Sequence, residues 1–178
     1  MVHLRFSLSE EEFYQFNYYT AWAAPERKGY RLWYFLKVML LYTLVALVYI
    51  FVNKDHDWPV DFSIFSLIGL AYFFLIPVLV KRSVRSRVKE ILARKENAHI
   101  LEESEVIIED KGIFEKDLVS ESRYEWEGIV KLADTQNCLY LYTNSFHAIV
   151  IPKRILTPDD HDRLMQLFNR HLPLSTEL

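Results

Sequence analysis

The side chains that could bind a metal ion are not spaced for that purpose in this sequence. None of the histidines stands two or four residues from another; they are His3, His56, His99, His147, His161 and His171. Asp159, Asp160, His161 and Asp162 form the one cluster of ligand types, but consecutive residues of a helix point in different directions. Acidic residues at a helix start are explained by the helix dipole. The sequence therefore predicts no metal site.

The sequence also lacks the parts of a nucleophilic or nucleotide-binding site. Ser145 and His147 stand two apart, but a nucleophile and base need an orienting carboxylate and an oxyanion hole, and no GxSxG elbow occurs. The chain has four glycines and neither a phosphate-cradling loop nor a dinucleotide fingerprint. Its single cysteine, Cys138, precedes an alternating run and is predicted to be a small buried hydrophobe. We therefore predict no catalytic residue, no cofactor and no enzymatic activity.

A few polar residues near the C-terminal end are candidates for contact with a protein. Lys153 and Arg154 are the only adjacent basic pair there, and with Trp126 they form the candidate protein-contact surface. The alternatives are that Trp126 lies in the core and that the basic pair binds nearby acids or locks the last strand to the helix. Residues 90–178 carry 10 Lys and Arg against 17 Asp and Glu, a net charge of −7, which argues against nucleic acid as a partner.

Two apolar runs dominate the first half of the chain. The run 32–52 has 21 residues with one charge, Lys37, and the run 62–80 has 19 residues with none. At a rise of about 1.5 Å per residue, each helix would reach roughly 30 Å, the thickness of the hydrocarbon core. The loop 53–61 is so short that the two spans must be antiparallel. The sequence therefore predicts a transmembrane hairpin over residues 32–80.

The basic residues around these runs predict the orientation of the hairpin. Eight flank the spans outside the loop, and only Lys54 lies within it; the eight are Arg27, Lys28, Arg31, Lys81, Arg82, Arg85, Arg87 and Lys89. Under the positive-inside rule both termini are cytoplasmic. We expect residues 81–97 to form a basic linker helix in which Arg82, Arg85, Arg87 and Lys89 contact anionic lipid. The alternative is that these residues act only as a topology signal.

The first 31 residues are predicted to form a strand and an aromatic helix. Residues 2–8 alternate in hydrophobicity, and we expect this strand to pair with the edge of the C-terminal domain. Ser9 and Glu12 then have the spacing of a capping box, which opens a helix over 10–24. Its dense aromatic residues suit either the membrane surface or packing on the folded domain. The sequence leaves both readings open.

Residues 98–178 are typical of a small β-domain closed by a helix. Turn residues separate six candidate strands: 99–108, 113–119, 122–126, 129–135, 138–143 and 146–151. Thr157 and Pro158 have the pattern of a helix start, and the helix is predicted over 158–171. The fold class is therefore membrane α+β, with a small barrel or sandwich capped by the C-terminal helix.

Several segments resemble the YcxB-like family. They are 124–129 (YEWEGI), 139–142 (LYLY), 151–154 (IPKR) and 8–13 (LSEEEF). The resemblance implies a bacterial inner-membrane protein with two spans and a C-terminal pleckstrin-homology-like domain, and it implies little about activity. Gly128 stands where a polar residue is commoner in the family, and the domain is unusually acidic.

Together these features predict a non-enzymatic interaction module, an adaptor or regulator, tethered to the cytoplasmic face of the inner membrane. Its expected contacts are membrane lipids and a protein partner, with homo-oligomerisation left open. The alternative is a sensor of anionic lipid or membrane state, which would act through the basic linker helix and the aromatic N-terminal helix.

Overall fold

The computed structural model describes residues 1–53 and 57–172, with the backbone alone at Trp58. The chain divides into two compact units. One, called the domain below, combines Met1–Thr20 with the described residues from Arg87 onward; the other, the hairpin unit, is Ala21–Ser86. Part of the predicted loop 53–61 and the last six residues of the predicted domain 98–178 lie outside the described residues.

The main helices and strands of the chain place the hairpin unit after the first strand and helix of the domain. In chain order they are β1 (Val2–Ser7), α1 (Glu10–Tyr18), α2 (Lys28–Val52), α3 (Trp58–Ala93), β2 (Glu103–Glu109), β3 (Gly112–Lys116), β4 (Glu121–Tyr124), β5 (Lys131–Asp134), β6 (Cys138–Tyr142), β7 (Ala148–Pro152) and α4 (Pro158–His171). The hairpin unit is thus inserted between two parts of one domain.

The hairpin unit is an antiparallel pair of long apolar helices. The Tyr42 hydroxyl donates to the Phe65 carbonyl, and the rings of Phe35 and Phe73 lie 5.1 Å apart. A Cβ on Gly69 would come within 3.3 Å of the Tyr42 ring, so the missing side chain lets the two helices approach. Both helices are longer than the predicted spans, and α3 continues through Pro77 to Ala93. Two helices apolar enough to cross a membrane are therefore present.

Sheet A has four antiparallel strands in the order β1-β2-β3-β4. The N-terminal strand pairs along its whole length with β2, with Val2 opposite Ile108 and Ser7 opposite Glu103. The prediction that residues 2–8 add a strand to the domain is therefore confirmed. The alternation of the sequence places Val2, Leu4 and Phe6 on the buried face.

Sheet B has three antiparallel strands in the order β5-β6-β7 and does not join sheet A in a closed barrel. The prediction left a barrel and a sandwich open; the closed barrel is wrong, and a short 3₁₀ helix at Trp126–Gly128 lies between the last strand of sheet A and the first strand of sheet B. All six predicted C-terminal strands exist, although shorter than expected. The first begins only at Glu103, since Lys95–Leu101 is 3₁₀ helix.

Two apolar clusters fill the domain and leave sheet B covered on both faces. The main core lies between the sheets and includes Leu4, Val106, Leu139, Ile149 and α4. The second cluster joins the other face of sheet B to α1 through Phe16, and every residue of β6 and β7 is buried. The helix α1 ends at Tyr18 instead of continuing to residue 24, because a π-helical turn follows it.

Candidate interaction surfaces

A partly buried ion pair links the N-terminal segment to the turn after β7, with the Glu12 side chain 11% and the Arg154 side chain 54% exposed. Arg154 donates from Nε to Glu12 Oε1 at 2.7 Å and from Nη2 to the Ser7 carbonyl at 2.7 Å. Glu12 also accepts bonds from the amide and hydroxyl of Ser9, each at 2.8 Å, which completes the predicted capping box. One guanidinium therefore holds both the end of β1 and the first turn of α1.

The environment of Glu12 keeps its carboxylate ionised. Burial raises the pKa of Glu12, but the hydrogen bonds from Arg154 and Ser9 together outweigh this, and the pKa lies below its ordinary value. A carboxyl with a depressed pKa stabilises the fold at pH above its unfolded pKa, and this contribution is lost as the pH falls through the folded pKa. The Glu12–Arg154 ion pair therefore stabilises the fold at neutral pH.

Replacing Arg154 with alanine is expected to destabilise the domain by about 2 kcal/mol, because the buried Glu12 carboxylate loses its charged partner. The measurement is chemical denaturation of the purified protein. Arg170→Ala is the matched control, since the pair of Arg170 with Asp110 is more than 60% exposed on both sides and is expected to contribute little to stability. Equal losses for the two variants would show that the Arg154 pair is no more than a surface contact.

Aromatic contacts place α1 on sheet B. The ring of Phe16 lies 5.5 Å from that of Tyr140, and the ring of Tyr19 lies 5.4 Å from it. The hydroxyls of Thr20 and Tyr142 are 2.7 Å apart. Of the two readings of the aromatic helix, the structure bears out the one in which it packs on the folded domain.

The three predicted protein-contact residues have different partners within the structure. Trp126 is 6% exposed, stacks on His171 at 4.8 Å and donates through Nε1 to the carbonyls of Glu109 and Asp110. Lys153 pairs with Asp134 at 2.5 Å. These residues thus have internal roles, and their contact with a partner stays a prediction.

The predicted lipid contacts lie along one continuous helix. Arg82, Arg85, Arg87 and Lys89 are all exposed on α3, whereas their neighbour Val88 is buried. The structure therefore leaves all four basic side chains facing solvent, as contact with lipid headgroups requires.

Exposed apolar side chains on the domain were missed by the sequence analysis. The described ones beyond Met1 are Leu118, Val119, Val130 and Phe146, which are 64–72% exposed. Leu118 and Val119 lie in a turn where the Asp117 carboxylate accepts the amides of Val119 and Ser120 at 2.8 and 2.6 Å. The signal available in the sequence was an apolar residue at a turn beside Asp or Asn.

Two ionisable groups of the domain have pKa values shifted by burial. The thiol of Cys138 is fully buried, and burial raises its pKa to about 11, so the thiol is unreactive at neutral pH. Burial, with a smaller contribution from Asp117, raises the pKa of Glu115 to about 7. Glu115 shares a strand face with Ile113 and stands opposite Val106 and Ser122.

The comparison with protein families identifies the central part of this domain. Residues 108–168 match the YcxB-like protein family. The resemblance noted in the sequence is confirmed for this segment. The YcxB-like segment runs from the end of β2 into α4, so β1 and α1 lie outside it although they fold in the same unit. No curated protein and no solved structure matches the chain.

Proposed function

We propose that this protein is a non-enzymatic interaction module tethered to the cytoplasmic face of the bacterial inner membrane. The observation that supports it best is the exposure of the two apolar helices. Their most apolar windows have a mean hydropathy of 2.4 and are 0% and 6% buried. A core helix of a soluble domain would bury such a surface, whereas lipid would cover it here.

The charge distribution supports an orientation with both termini in the cytoplasm. Residues 1–89 carry 11 Lys and Arg against 7 Asp and Glu, while residues 90–178 have a net charge of −7. The basic excess flanks the spans on the side of both termini. The acidic surface farther along the chain would be repelled by anionic headgroups and suits a basic protein partner.

The strand arrangement supports a pleckstrin-homology-like fold for the domain. Sheets of four and three antiparallel strands, followed by a C-terminal helix, match what the family resemblance implies once β1 is counted as the first strand. In this reading the hairpin unit is inserted between the first and second strands. The fold hosts many functions, so it supports an interaction role without naming the partner.

The roles of the polar residues favour interaction over catalysis. Arg154 and Glu12 join two segments of the domain, and the buried thiol of Cys138 has the raised pKa of an unreactive group. The turn with Leu118 and Val119 offers two exposed apolar side chains in an ordered conformation. Preordered apolar side chains lose little conformational entropy on binding, so this turn is the proposed protein-contact site.

The test is native extraction of the protein from its membrane, followed by mass spectrometry of what co-purifies. A stoichiometric protein partner is expected with the unmodified chain and is expected to be lost from a Leu118→Ser, Val119→Ser variant. Lys153→Ala tests the surface predicted from the sequence in the same way. A protein that purifies without any stoichiometric partner would contradict the adaptor role.

A second candidate function, the sensing of anionic lipid, is favoured by the exposed basic side chains of α3. Each would contribute about 1 kcal/mol near an anionic surface. The test is the amount of anionic lipid retained by the full protein in lipid nanodiscs at increasing salt. Reversal of Arg82 and Arg85 to Glu is expected to remove it, while reversal of Arg123 and Arg163, which are exposed on the domain, is the matched control. Equal retention by both variants would exclude this function.

A further inference from the structure

The strand β4 (Glu121–Tyr124) forms one edge of sheet A, and β3 is its one neighbouring strand in the described part of the chain. An edge strand presents unpaired N–H and C=O groups on its outer side, and a further strand can bind them. Among the described residues, no segment other than β3 donates a backbone hydrogen bond to β4 or accepts one from it. The outer side of β4 therefore offers backbone groups to an additional strand.

The turn before β4 shows which of its backbone groups face outward. The amide of Asp117 donates to the Ser120 carbonyl at 3.0 Å, so these two residues form a hydrogen-bonded pair. Bonded and non-bonded pairs alternate along antiparallel strands, so the next residues bonded to β3 are Ser122 and Tyr124. The Tyr124 carbonyl lies against Gly112 of β3, as this alternation requires. The remaining residues of β4 direct their backbone groups toward the open edge; they are Glu121 and Arg123.

These two residues carry opposite charges on one face of sheet A. Glu121 and Arg123 are exposed, whereas the alternate residues of β4 are half-buried. The Glu121 side chain is 60% exposed, and its carboxylate is 3.9 Å from the Lys116 ammonium. An acid and a base two residues apart on one face are complementary to the same strand running in the opposite direction, because opposite charges then stand across from each other.

A twofold pair of β4 strands has few possible registers. Its outward backbone groups meet only when odd-numbered residues stand opposite odd-numbered ones. With Glu121 or Arg123 on the axis, two like charges stand directly opposite each other, which is destabilising. A register centred on Tyr124 would use Glu125, whose carbonyl already accepts an amide of the following turn. With Ser122 on the axis, Glu121 of each copy opposes Arg123 of the other, and about four backbone hydrogen bonds join the copies.

The other edge strands lack this complementarity. The solvent side of β1 carries His3 and Arg5, so pairing between two copies of β1 would bring basic side chains together. In β5, Lys131 lies over a tyrosine ring and Asp134 pairs with Lys153, so both charges already have partners within the domain. The strand β7 has no charged residue. The charge pattern therefore selects β4.

We propose that β4 pairs with β4 of a second copy of this chain, with Ser122 on the twofold axis and Glu121 of each copy opposite Arg123 of the other. This pairing joins two sheets A of four strands into one continuous sheet. The partner is a second copy, because the charges and the outward backbone groups of β4 are complementary to themselves. This self-association goes beyond the adaptor role, which concerns a different protein, and either could fail without the other.

Disulfide cross-linking of the purified full protein tests the arrangement. Ser122→Cys is expected to form an intermolecular disulfide on mild oxidation, because opposite residues of a non-bonded pair have Cα atoms about 4.5 Å apart. Glu121→Cys and Arg123→Cys are diagonal to their own counterparts at about 7–8 Å or more, which is too far for a disulfide. Ser104→Cys on the interior strand β2 is the matched control, and the natural Cys138 is fully buried.

We expect Ser122→Cys to cross-link at least about tenfold faster than Ser104→Cys, because only the first has its counterpart directly opposite. Equal rates for these two variants would overturn the pairing. Faster cross-linking of Glu121→Cys or Arg123→Cys than of Ser122→Cys would also overturn it, since these two positions would lie on the axis in the registers with like charges opposed.

Charge reversal in the Ser122→Cys protein tests the identity of the partner. Glu121→Arg and Arg123→Glu are each expected to slow cross-linking about tenfold, because like charges then meet twice. An equimolar mixture of the two variants is expected to restore it, since every opposed pair again joins an acid to a base. Arg163→Glu on α4 is the matched control and is expected to leave the rate unchanged. Unchanged rates for the two β4 variants, or a mixture no faster than either alone, would contradict the pairing.

Discussion

Replacing Phe6 with alanine is expected to lower the free energy of unfolding of the domain by about 3–5 kcal/mol, the usual cost of removing a buried phenylalanine side chain. Phe6 is 7% exposed, and its neighbours on the same face of β1, Val2 and Leu4, are 2% and 5% exposed. They pack in the main core against β2, whose Val106 is fully buried. A typical domain has only 5–15 kcal/mol of stability, so this change is large.

Arg5→Ala is the matched control, because Arg5 is adjacent on the same strand but is exposed, and its closest ion pair, with Glu103, is 63% exposed on both sides. It is expected to change the free energy of unfolding by less than about 1 kcal/mol. The measurement is denaturant unfolding of both variants, followed by a signal of the domain. Similar small effects for the two variants would mean that β1 is not part of the folded core.

Replacing Glu115 with glutamine is expected to stabilise the domain at pH 8 by up to about 3 kcal/mol and to have little effect at pH 4.5. Burial, aided by the Asp117 charge, raises the pKa of Glu115 from 4.5 to about 7 in the fold. Between these values the folded state holds a proton that the unfolded state has released. Stability therefore falls as the pH rises from about 4.5 to 7, and above that range the penalty is constant.

The measurement is the free energy of unfolding of both proteins across pH 4.5–8. Glutamine cannot ionise, so the difference between variant and wild type is expected to grow through this window. Glu121→Gln is the control, because Glu121 lies on the neighbouring strand with its side chain 60% exposed. A difference that stays the same at every pH would show that the Glu115 carboxyl does not titrate near neutrality in the fold.

Local signals in the sequence were sufficient for most of the secondary structure. Ser9 with Glu12 opens α1 as predicted, and Thr157 accepts the Asp160 amide at the start of α4. The helices α2 and α3 follow from long apolar runs, and β1 follows from strict alternation over residues 2–8. Each of these signals comes from residues that are close together along the chain, so it can be recognised in a single sequence.

Features that depend on distant partners could not be obtained in this way. Arg154 and Glu12 are separated by 142 residues, so the sequence indicated a candidate contact residue and a helix cap but not the ion pair between them. The aromatic face of α1 suited lipid as well as protein until sheet B was seen to cover it. The position of Glu115 among buried neighbours depends on the register of three strands.

The apolar hairpin is inserted into one domain that is built from the segments on both sides of it. The most direct test joins residues 1–20 to residues 87–172 through a flexible linker of about 15 residues, which replaces the hairpin unit. The measurement is cooperative unfolding of this fusion protein compared with residues 87–172 alone. We predict a cooperative transition for the fusion and none for the shorter fragment, which lacks β1, α1 and the partner of Arg154. A fragment 87–172 as stable as the fusion would contradict the account.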